Sequence, residues 1–386
     1  MSASSTRTAP QKPPLRVRTV RRQNAHYRVG IDLGQRNAVF VTRTMTLRRL
    51  ASWAQAFAVV PEPGYDLVHS LNAVPLLTRR PYVISFENYL PRVPEDTYVG
   101  WLERALQHRL LEGVRSGRCL RLFAFSEFAR RQFRRQNRDF HGLRELEERL
   151  EILYPVVATG GFEPKRQSER VSLLFVGYEF VRKGGLALLR AHEQLRQAGV
   201  PVDTHIVSSL SWAPDDFIGP PSREYVEREL QRLHAEGVRH DRFLPNDQVM
   251  RLMREADYLV LPTLHETFGY VALEALSRGT PVIATGAYAM PEIVEDGACG
   301  FLLPLETDEI GRWEHLYRTG DPEYQGWFEE TTERLAQAIV DTVTRAWAER
   351  GAYEARSAAA LERMRRTFSV EDARRRLEDV YELARR

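Results

Sequence analysis

Cysteine, lysine and long apolar runs are scarce in this chain of 386 residues. The two cysteines, Cys119 and Cys299, are too few for a disulfide framework or a cysteine-based metal site. No run approaches the roughly 18 apolar residues of a membrane-spanning helix, and residues 1–22 lack the apolar core of a secretory signal. We therefore expect a cytoplasmic protein, either soluble or peripheral to the inner face of a membrane.

Only three of the 55 basic residues are lysine: Lys12, Lys165 and Lys183. Residues 1–160 carry 26 Lys and Arg against 14 Asp and Glu, whereas residues 161–386 carry 29 against 38. The formal charges are +12 and −9, which sum to the net +3. The basic half either binds an anionic acceptor or an anionic bilayer, or it is a solvated arginine-rich surface. No groove-reading motif accompanies the charge, so we expect no nucleic-acid partner.

Clusters of metal ligands are also missing from the sequence. The ten histidines show no ligand spacing, and no Asp-x-Asp element is present to hold a metal-bound diphosphate. His265 beside Glu266 is a single histidine next to a single carboxylate, for which packing or lining of a cleft is the simpler role. We therefore expect no metal ion and no other cofactor.

The richest pattern in the sequence lies between residues 258 and 304. An apolar run at 258–262 is typical of a buried parallel strand, and Gly269 lets the backbone approach a ligand where a helix begins. A helix N-terminus attracts phosphate, whereas Glu266 and Glu274 accept hydrogen bonds from hydroxyls when ionised. On one unbroken helix these glutamates would be separated by about 12 Å of rise, so we place Glu266 in the loop before the helix and Glu274 on its inner face.

A second strand, loop and helix precede this block. Residues 172–177 predict a strand, Arg182, Lys183 and Gly184 lie in a basic glycine loop, and residues 186–197 repeat apolar positions at helical spacing. Strand, loop and helix together predict a phosphate-binding site. Lysine stands here although the chain favours arginine, and its compact ammonium suits a leaving diphosphate. A solvated basic surface is the simpler alternative.

Both blocks resemble one family of enzymes. The sequence ETFGYVALEA at 266–275, the strand entry GTPVIA at 279–284 and the segment PEIV at 291–294 are similar to the family 4 retaining glycosyltransferases, whose hallmark is an E-x7-E motif. The resemblance implies the α/β fold called GT-B, in which two Rossmann-like domains face each other across a cleft. It also implies a C-terminal helix that crosses back to the first domain.

The resemblance implies a role for each matching residue. Glu266 and Lys183 would be catalytic together with Arg182, which would substitute for an arginine that relatives carry where this chain has Tyr178. Glu266 would contact hydroxyls of the donor sugar, and Glu274 would contact the ribose. The donor-binding residues would be Glu274, Thr267, Phe268, Gly269, Tyr270, Gly177 and Gly184, and the backbone N–H groups of 267–269 would meet the diphosphate.

Length and composition divide the chain. A chain of 386 residues exceeds what one hydrophobic core usually supports. In the N-terminal half, short apolar segments separated by turns or helical stretches predict a parallel sheet. These segments are residues 28–31, 67–69, 81–85 and 122–126. We predict a disordered basic arm (1–22), an N-terminal acceptor domain (23–157), a linker (158–168), a C-terminal donor-binding domain (169–367) and a C-terminal helix (368–386) that packs on the N-terminal domain.

The N-terminal half departs from the family in the cleft. Glu87 stands at about the place where many relatives have a histidine that contacts the donor sugar or the acceptor. We treat Glu87 as a catalytic candidate, with an exposed residue at the start of a loop as the alternative. The acceptor loop after the first strand is best matched by Gly34 and Gln35, with a plain turn as the alternative, and Asn88 is a further candidate for binding the acceptor.

The sequence thus predicts a retaining hexosyltransferase of glycan, polysaccharide or glycolipid biosynthesis. It would move a sugar from a nucleoside diphosphate to the hydroxyl of a glycan, lipid-linked or small-molecule acceptor. A catalytically silent partner subunit that binds nucleotide sugars is one alternative, and a GT-B epimerase is another. A phosphorylase would usually be longer and bind pyridoxal phosphate. Intact Lys183, Glu266 and Glu274 favour the transferase.

Overall fold

The computed structural model places two parallel sheets in sequence along the chain. The described residues are 16–21, 38–43, 57–59, 65–76, 78–92, 100–212, 218–219 and 222–385. Of the first three segments the structure gives the backbone alone. Within these residues, no helix combines the length and the apolar character that crossing a membrane requires.

The first sheet has the strand order β2-β1-β4-β6-β7-β8, and all of its pairings are parallel. Its strands are β1 (Arg16–Arg21), β2 (Ala38–Arg43), β4 (Leu67–Leu71), β6 (Tyr82–Phe86), β7 (Cys119–Ala124) and β8 (Leu150–Ile152). A separate parallel pair is formed by β3 (Phe57–Val59) and β5 (Val74–Leu76). The helices of this half are α1 (Trp101–Ser116), α2 (Glu127–Gln136) and α3 (Leu143–Glu147).

One prediction for the N-terminus is wrong. Strand β1 lies inside residues 1–22, for which we predicted disorder, and it pairs with both β2 and β4. Its β-branched residues Val17, Thr19 and Val20 favour an extended backbone, a preference that the surrounding arginines and prolines obscured. The predicted segments 67–69, 81–85 and 122–126 fall on β4, β6 and β7, whereas residues 28–31 lie outside the described residues.

The second sheet has the order β11-β10-β9-β12-β13-β14 and is also entirely parallel. Its strands are β9 (Val171–Val176), β10 (Val202–Val207), β11 (Val238–Asp241), β12 (Tyr258–Leu261), β13 (Val282–Thr285) and β14 (Gly300–Leu303). Its helices are α4 (Gly185–Gln197), α5 (Arg223–Leu230), α6 (Asn246–Glu255), α7 (Tyr270–Leu276), α8 (Met290–Ile293) and α9 (Tyr324–Ala348). All four residues of β12 are buried, as expected for a strand that helices cover on both faces.

The chain passes between the sheets through residues 153–170, which contain no helix or strand. Two further helices follow α9: α10 (Tyr353–Thr367) and α11 (Val370–Glu382). Short 3-10 turns occur at Gln231–His234, Arg350–Ala352 and Leu383–Arg385.

The last helix returns to the first sheet. Ser369 caps α11 by accepting a hydrogen bond from the Asp372 backbone N–H, and the helix buries Ala373, Leu377, Val380 and Tyr381. The Tyr381 hydroxyl lies 2.5 Å from Nδ1 of His69 in β4. The predicted crossing of the C-terminal helix back to the first domain is therefore confirmed.

The two sheets share part of their core. One apolar cluster contains Leu67, Val83 and Phe123 of the first sheet together with Leu174 and Leu259 of the second. Contacts of this kind hold the two domains against each other, so that loops after the carboxyl ends of both sheets can meet in one cleft.

Candidate active site

Lys183 lies in the loop between β9 and α4. The amides of this loop form hydrogen bonds within the loop itself. The N–H groups of Lys183, Gly184 and Gly185 donate to the carbonyls of Glu179, Val181 and Phe180, respectively. The loop therefore presents the Lys183 side chain, rather than these three amides, to a ligand.

Gly184 is required by the backbone at the start of α4. Its φ of +78° lies in the left-handed region, and a Cβ there would come within 1.9 Å of the Pro262 carbonyl oxygen. This close approach brings α4 against the end of β12, where the chain leads to Glu266. Two segments that lie 83 residues apart thus meet at one place.

Lys183 and Glu266 form an ion pair between Nζ and Oε2. Their side chains are 15% and 11% exposed. Burial lowers the pKa of Lys183, and the negative charge of Glu266 opposes this shift. The other carboxylate oxygen of Glu266 accepts a hydrogen bond of 3.0 Å from the Thr267 amide. The two residues predicted as most important are therefore in direct contact.

Gly269 begins α7 with a φ of +99°, and Phe268 directly before it is buried. Among the described residues, the backbone N–H groups of Phe268 and Gly269 have no hydrogen-bond acceptor. Unpartnered amides at a helix start suit an anion, as predicted for this loop. Thr267 differs, because its amide donates to Glu266. Tyr270 is half-buried, and its ring packs edge-on against Phe268.

Glu274 lies inside α7 and is half-buried. Burial raises the pKa of its carboxyl group, and the nearby Arg278 guanidinium acts in the opposite direction. Glu266 in the loop and Glu274 on the helix occupy the relative positions that we inferred from their spacing.

Arg182 is held differently from Lys183. Its guanidinium pairs with Glu179 and donates to His265 Nδ1 at 2.9 Å. Burial, reinforced by Arg182 and Lys183, lowers the pKa of His265 far below its ordinary value, so this imidazole is neutral at pH 7. Arg182 therefore borders the site with part of its charge already balanced.

Glu87 reaches the same place from the first domain. It follows β6 directly and is buried, and burial raises its pKa. Among its neighbours, Arg92 lowers this pKa, Glu266 raises it, and Lys183 lowers it. Oε2 of Glu87 is buried and has no hydrogen-bond partner among the described residues. The first domain thus contributes a carboxyl group that lies within electrostatic reach of the Lys183–Glu266 pair.

The remaining predicted residues have mixed placements. Asn88 is buried beside Glu87, and its Oδ1 has no hydrogen-bond partner in the described part of the chain. Gly34 and Gln35 lie outside the described residues. The N–H of Gly177 donates to the Val207 carbonyl, and a Cβ there would lie 3.2 Å from Lys183 Cγ. Glycine at 177 therefore leaves room for the lysine stem rather than offering an amide to a ligand.

The sequence did not reveal two residues around Glu87. Asn72 makes two hydrogen bonds to Glu87, and Arg92 lies 3.8 Å from its carboxylate. The one available signal was the position of Asn72 after an apolar strand, since asparagine tolerates left-handed backbone angles. Tyr178, noted as a departure from the family, is 74% exposed.

In the described part of the chain, one set of side chains has the spacing of metal ligands: Glu306, Glu314 and His315. The two glutamates are exposed, Glu306 is paired with Arg334, and the His315 ring is stacked on Trp327. These partners explain the set without an ion.

Comparison with known proteins gives the site a context. Residues 170–312 match the family model described as glycosyl transferases group 1. One similar protein is the D-inositol 3-phosphate glycosyltransferase of Jonesia denitrificans, 32% identical over 182 residues. Another is the MMP alpha-(1->4)-mannosyltransferase of Mycolicibacterium hassiacum, 29% identical over 166 residues. The matches cover 41% and 42% of this chain, and about two fifths of the length of each relative (40% and 38%).

Solved structures extend the likeness to nearly the whole chain. HepE of Anabaena in complex with UDP superimposes with a TM-score of 0.61 over 95% of this chain and 100% of its own, at 15% identity. A glycosyltransferase from Rickettsia africae gives 0.60 over 96% and 98%, at 14% identity. The predicted fold is confirmed: this chain has the GT-B architecture. Its second half is similar in sequence to the group 1 glycosyltransferases.

Proposed function

We propose that this protein is a retaining, metal-independent glycosyltransferase of the family 4 type. It would transfer a hexose from a nucleoside diphosphate to an acceptor hydroxyl. The observation that carries the proposal is the ion pair of Lys183 with Glu266, which lie 83 residues apart, together with Glu87 of the first domain, whose carboxyl group both charges influence. A buried ammonium with carboxyl groups near it suits a ligand that is both anionic and rich in hydroxyls.

The donor would lie along the second domain. The Lys183 ammonium and the unpartnered amides of Phe268 and Gly269 would bind the diphosphate, because both supply donors to anionic oxygens. Glu266 would accept a hydroxyl of the sugar, and Glu274 would accept the ribose hydroxyls. Binding would replace the Lys183–Glu266 contact with contacts to the phosphate and to the sugar.

The chemistry would depend on stabilising the leaving group. As the bond between the anomeric carbon and the diphosphate oxygen breaks, its electron pair leaves with the nucleoside diphosphate. Lys183 and Arg182 offset the charge that develops there. The acceptor oxygen bonds to the anomeric carbon on the same face, and its proton passes to a phosphate oxygen of the departing group. Retention of configuration follows from the family resemblance.

The acceptor would bind against the first domain, where Asn88 is buried beside Glu87. Among the described residues, Oδ1 of Asn88 lacks a hydrogen-bond partner, which suits a hydroxyl group of a glycan, a lipid-linked saccharide or a small polyol. Such a reaction belongs to glycan, polysaccharide or glycolipid biosynthesis.

Thermal unfolding in the presence of UDP-glucose, UDP-N-acetylglucosamine, GDP-mannose and ADP-glucose tests the proposal. A donor at 100 times its Kd should stabilise the fold by about 2.7 kcal/mol. The stabilising donor should then be hydrolysed or transferred, and proton NMR should show the same anomeric configuration in product and donor. An inverted product would remove the retaining mechanism. Tight binding without turnover on any acceptor would favour the silent partner subunit.

We also propose that the first domain contacts an anionic membrane. Trp101 and Leu102 at the start of α1 are 78% and 63% exposed, and Arg104 and Arg109 are exposed on the same helix. Aromatic and basic side chains together suit a bilayer surface. Sedimentation with phosphatidylcholine vesicles, with and without phosphatidylglycerol, tests this contact. Binding that is equal for both vesicles, or absent, would contradict it.

A further inference from the structure

Asn72 has an unusual backbone and an unusual set of contacts. It follows β4 directly and has a φ of +57°, a left-handed conformation that asparagine adopts more readily than most residues with a Cβ. Its amide N–H donates to the Ser85 carbonyl at 2.8 Å, which joins it to the end of the neighbouring strand β6. The left-handed conformation is therefore fixed at the point where Glu87 leaves β6.

The side chain of Asn72 holds Glu87 at two points. Oδ1 accepts a hydrogen bond of 3.0 Å from the Glu87 amide, and Nδ2 donates to Glu87 Oε1 at 3.2 Å. The two hydrogen bonds of this one planar amide fix the positions of both the backbone and the carboxyl group of Glu87. Because Oε1 is taken up by Asn72, Oε2 is the oxygen that no described residue contacts through a hydrogen bond.

The charges around Glu87 determine which kind of ligand group can bind to its Oε2. The charged groups that act on its carboxyl are Arg92 from the same loop, and Lys183 and Glu266 from the second domain. Lys183 is already paired with Glu266, and the negative charge of Glu266 raises the pKa of Glu87, so a second acidic group acts on this carboxyl. That arrangement disfavours an anion at Oε2 and favours a neutral hydroxyl donor.

We propose that Asn72 is a positioning residue that orients Glu87, so that Oε2 accepts one hydroxyl of the transferred sugar. This inference rests on the proposed glycosyltransferase function and adds to it a residue and a substrate chemistry. The hydroxyl belongs to an uncharged part of the sugar ring, and the contact aligns the anomeric carbon with Lys183 and the leaving diphosphate. Asn72 itself does not touch the substrate.

The substitution Asn72→Gly tests this role, because glycine keeps the left-handed backbone and removes both hydrogen bonds to Glu87. The probe is hydrolysis of whichever sugar nucleotide among UDP-glucose, UDP-N-acetylglucosamine, GDP-mannose and ADP-glucose the wild-type enzyme turns over. We expect kcat to fall about tenfold or more, with KM within about twofold, since misplacement of an orienting group affects the reaction more than binding.

A double-mutant cycle separates positioning from a general structural effect. In the Glu87→Gln background, Asn72→Gly should cause little further loss, because the group that it orients has already been altered. Losses that multiply in the double variant would overturn the proposal, as would a normal kcat in Asn72→Gly.

Asn72→Asp serves as a second variant of the same size, in case the glycine variant does not fold. It places an acid beside Oε1 and should raise the pKa of Glu87 further, opposed by Arg92 and Lys183 and reinforced by Glu266. The ionised carboxylate is the stronger acceptor, so the acid limb of the kcat profile should move to higher pH by about one unit. An unmoved limb would contradict the role of Asn72.

The activities of the wild-type protein and of the Asn72→Gly variant together separate the role of Asn72 from the proposed glycosyltransferase function. A wild-type protein that neither binds nor turns over any of the four sugar nucleotides would remove the function and this inference with it. A wild-type protein that is active, with an Asn72→Gly variant that is equally active, would remove the inference alone.

Discussion

The second-domain wall of the cleft is held by backbone geometry, whereas the first-domain wall is held by side chains. On the second wall, Gly184 and Gly269 adopt positive φ at the starts of two helices, and Lys183 and Glu266 project from these fixed turns. On the first wall, Glu87 depends on the side chain of Asn72. Substitutions on the second-domain wall should therefore damage folding or donor binding. Substitutions on the first-domain wall should alter the position of catalytic side chains such as Glu87.

The contact between the walls also depends on side chains. The Glu292 carboxylate accepts hydrogen bonds from the Glu127 and Phe128 amides, at 2.6 and 2.7 Å, and thus caps α2 of the other domain. The hydroxyls of Tyr89 and Tyr317 lie 2.7 Å apart.

Gly184→Ala should have the largest effect. The added Cβ meets a backbone carbonyl at 1.9 Å and forces a left-handed φ, so we expect a loss of at least about 4 kcal/mol or failure to fold. Gly199→Ala is the matched control, because Gly199 has the same φ of +78° with open space around it, and it should cost only about 1 kcal/mol. Urea unfolding measures both. An equal loss of unfolding free energy in the two variants would show that the close approach of residue 184 to the Pro262 carbonyl does not affect stability.

Acidification should loosen the attachment of α11 through His69. Burial lowers the pKa of His69 from 6.5 to about 4, so the unfolded chain binds more protons between these values. The stability linked to this group is therefore lost as pH falls through that window, by about 3 kcal/mol at pH 4.

Urea unfolding at several pH values checks the His69 effect. His69→Phe should flatten the dependence between pH 6.5 and pH 4. His141→Phe, at a side chain that is 74% exposed, should leave the dependence as in the wild type. An unchanged slope in His69→Phe would refute the assignment.

Lys183→Ala should weaken donor binding about a hundredfold, because a charge-assisted contact to the diphosphate contributes roughly 1.5–3 kcal/mol. Isothermal calorimetry with UDP, or with the diphosphate of the base that the donor screen selects, measures the change. Arg196→Ala removes a cation near the C-terminal end of α4 that is paired with Glu236, and it should leave the affinity unaltered. Full affinity in Lys183→Ala would contradict a diphosphate role for Lys183.

Tyr317→Phe should have the smallest effect. It removes the hydroxyl that meets Tyr89 across the cleft, and one partly buried hydrogen bond contributes about 1 kcal/mol. We expect a slight fall in the unfolding midpoint, and the same fall in Tyr89→Phe and in the double variant. Effects that add in the double variant would show that the two hydroxyls act independently.

The comparison also explains what the sequence predicted well. Lys183, Glu266 and Glu274 lie in strand–loop–helix units, where short-range spacing and single glycines determine which residues reach the carboxyl edge of a sheet. The starts of α2 and α11 are equally local, since Ser126 and Ser369 each cap a helix that is adjacent to them in the chain.

The first domain was harder to predict because its arrangement depends on contacts between strands. Asn72 and Glu87 are 15 residues apart, and they meet only through the register of β4 and β6. Strand β1 was missed because its arginines and the neighbouring prolines suggested a disordered arm, although its pairing with β2 and β4 places it inside the sheet. Register of this kind is a tertiary property that local patterns do not encode.

A crystal structure of the protein with an intact sugar nucleotide would show whether both walls of the cleft bind one ligand. We expect the diphosphate to lie between the Lys183 ammonium and the amides of Phe268 and Gly269, with sugar hydroxyls on Glu266 and on Oε2 of Glu87. A nucleotide bound away from Lys183, or a sugar ring turned away from both glutamates, would contradict it.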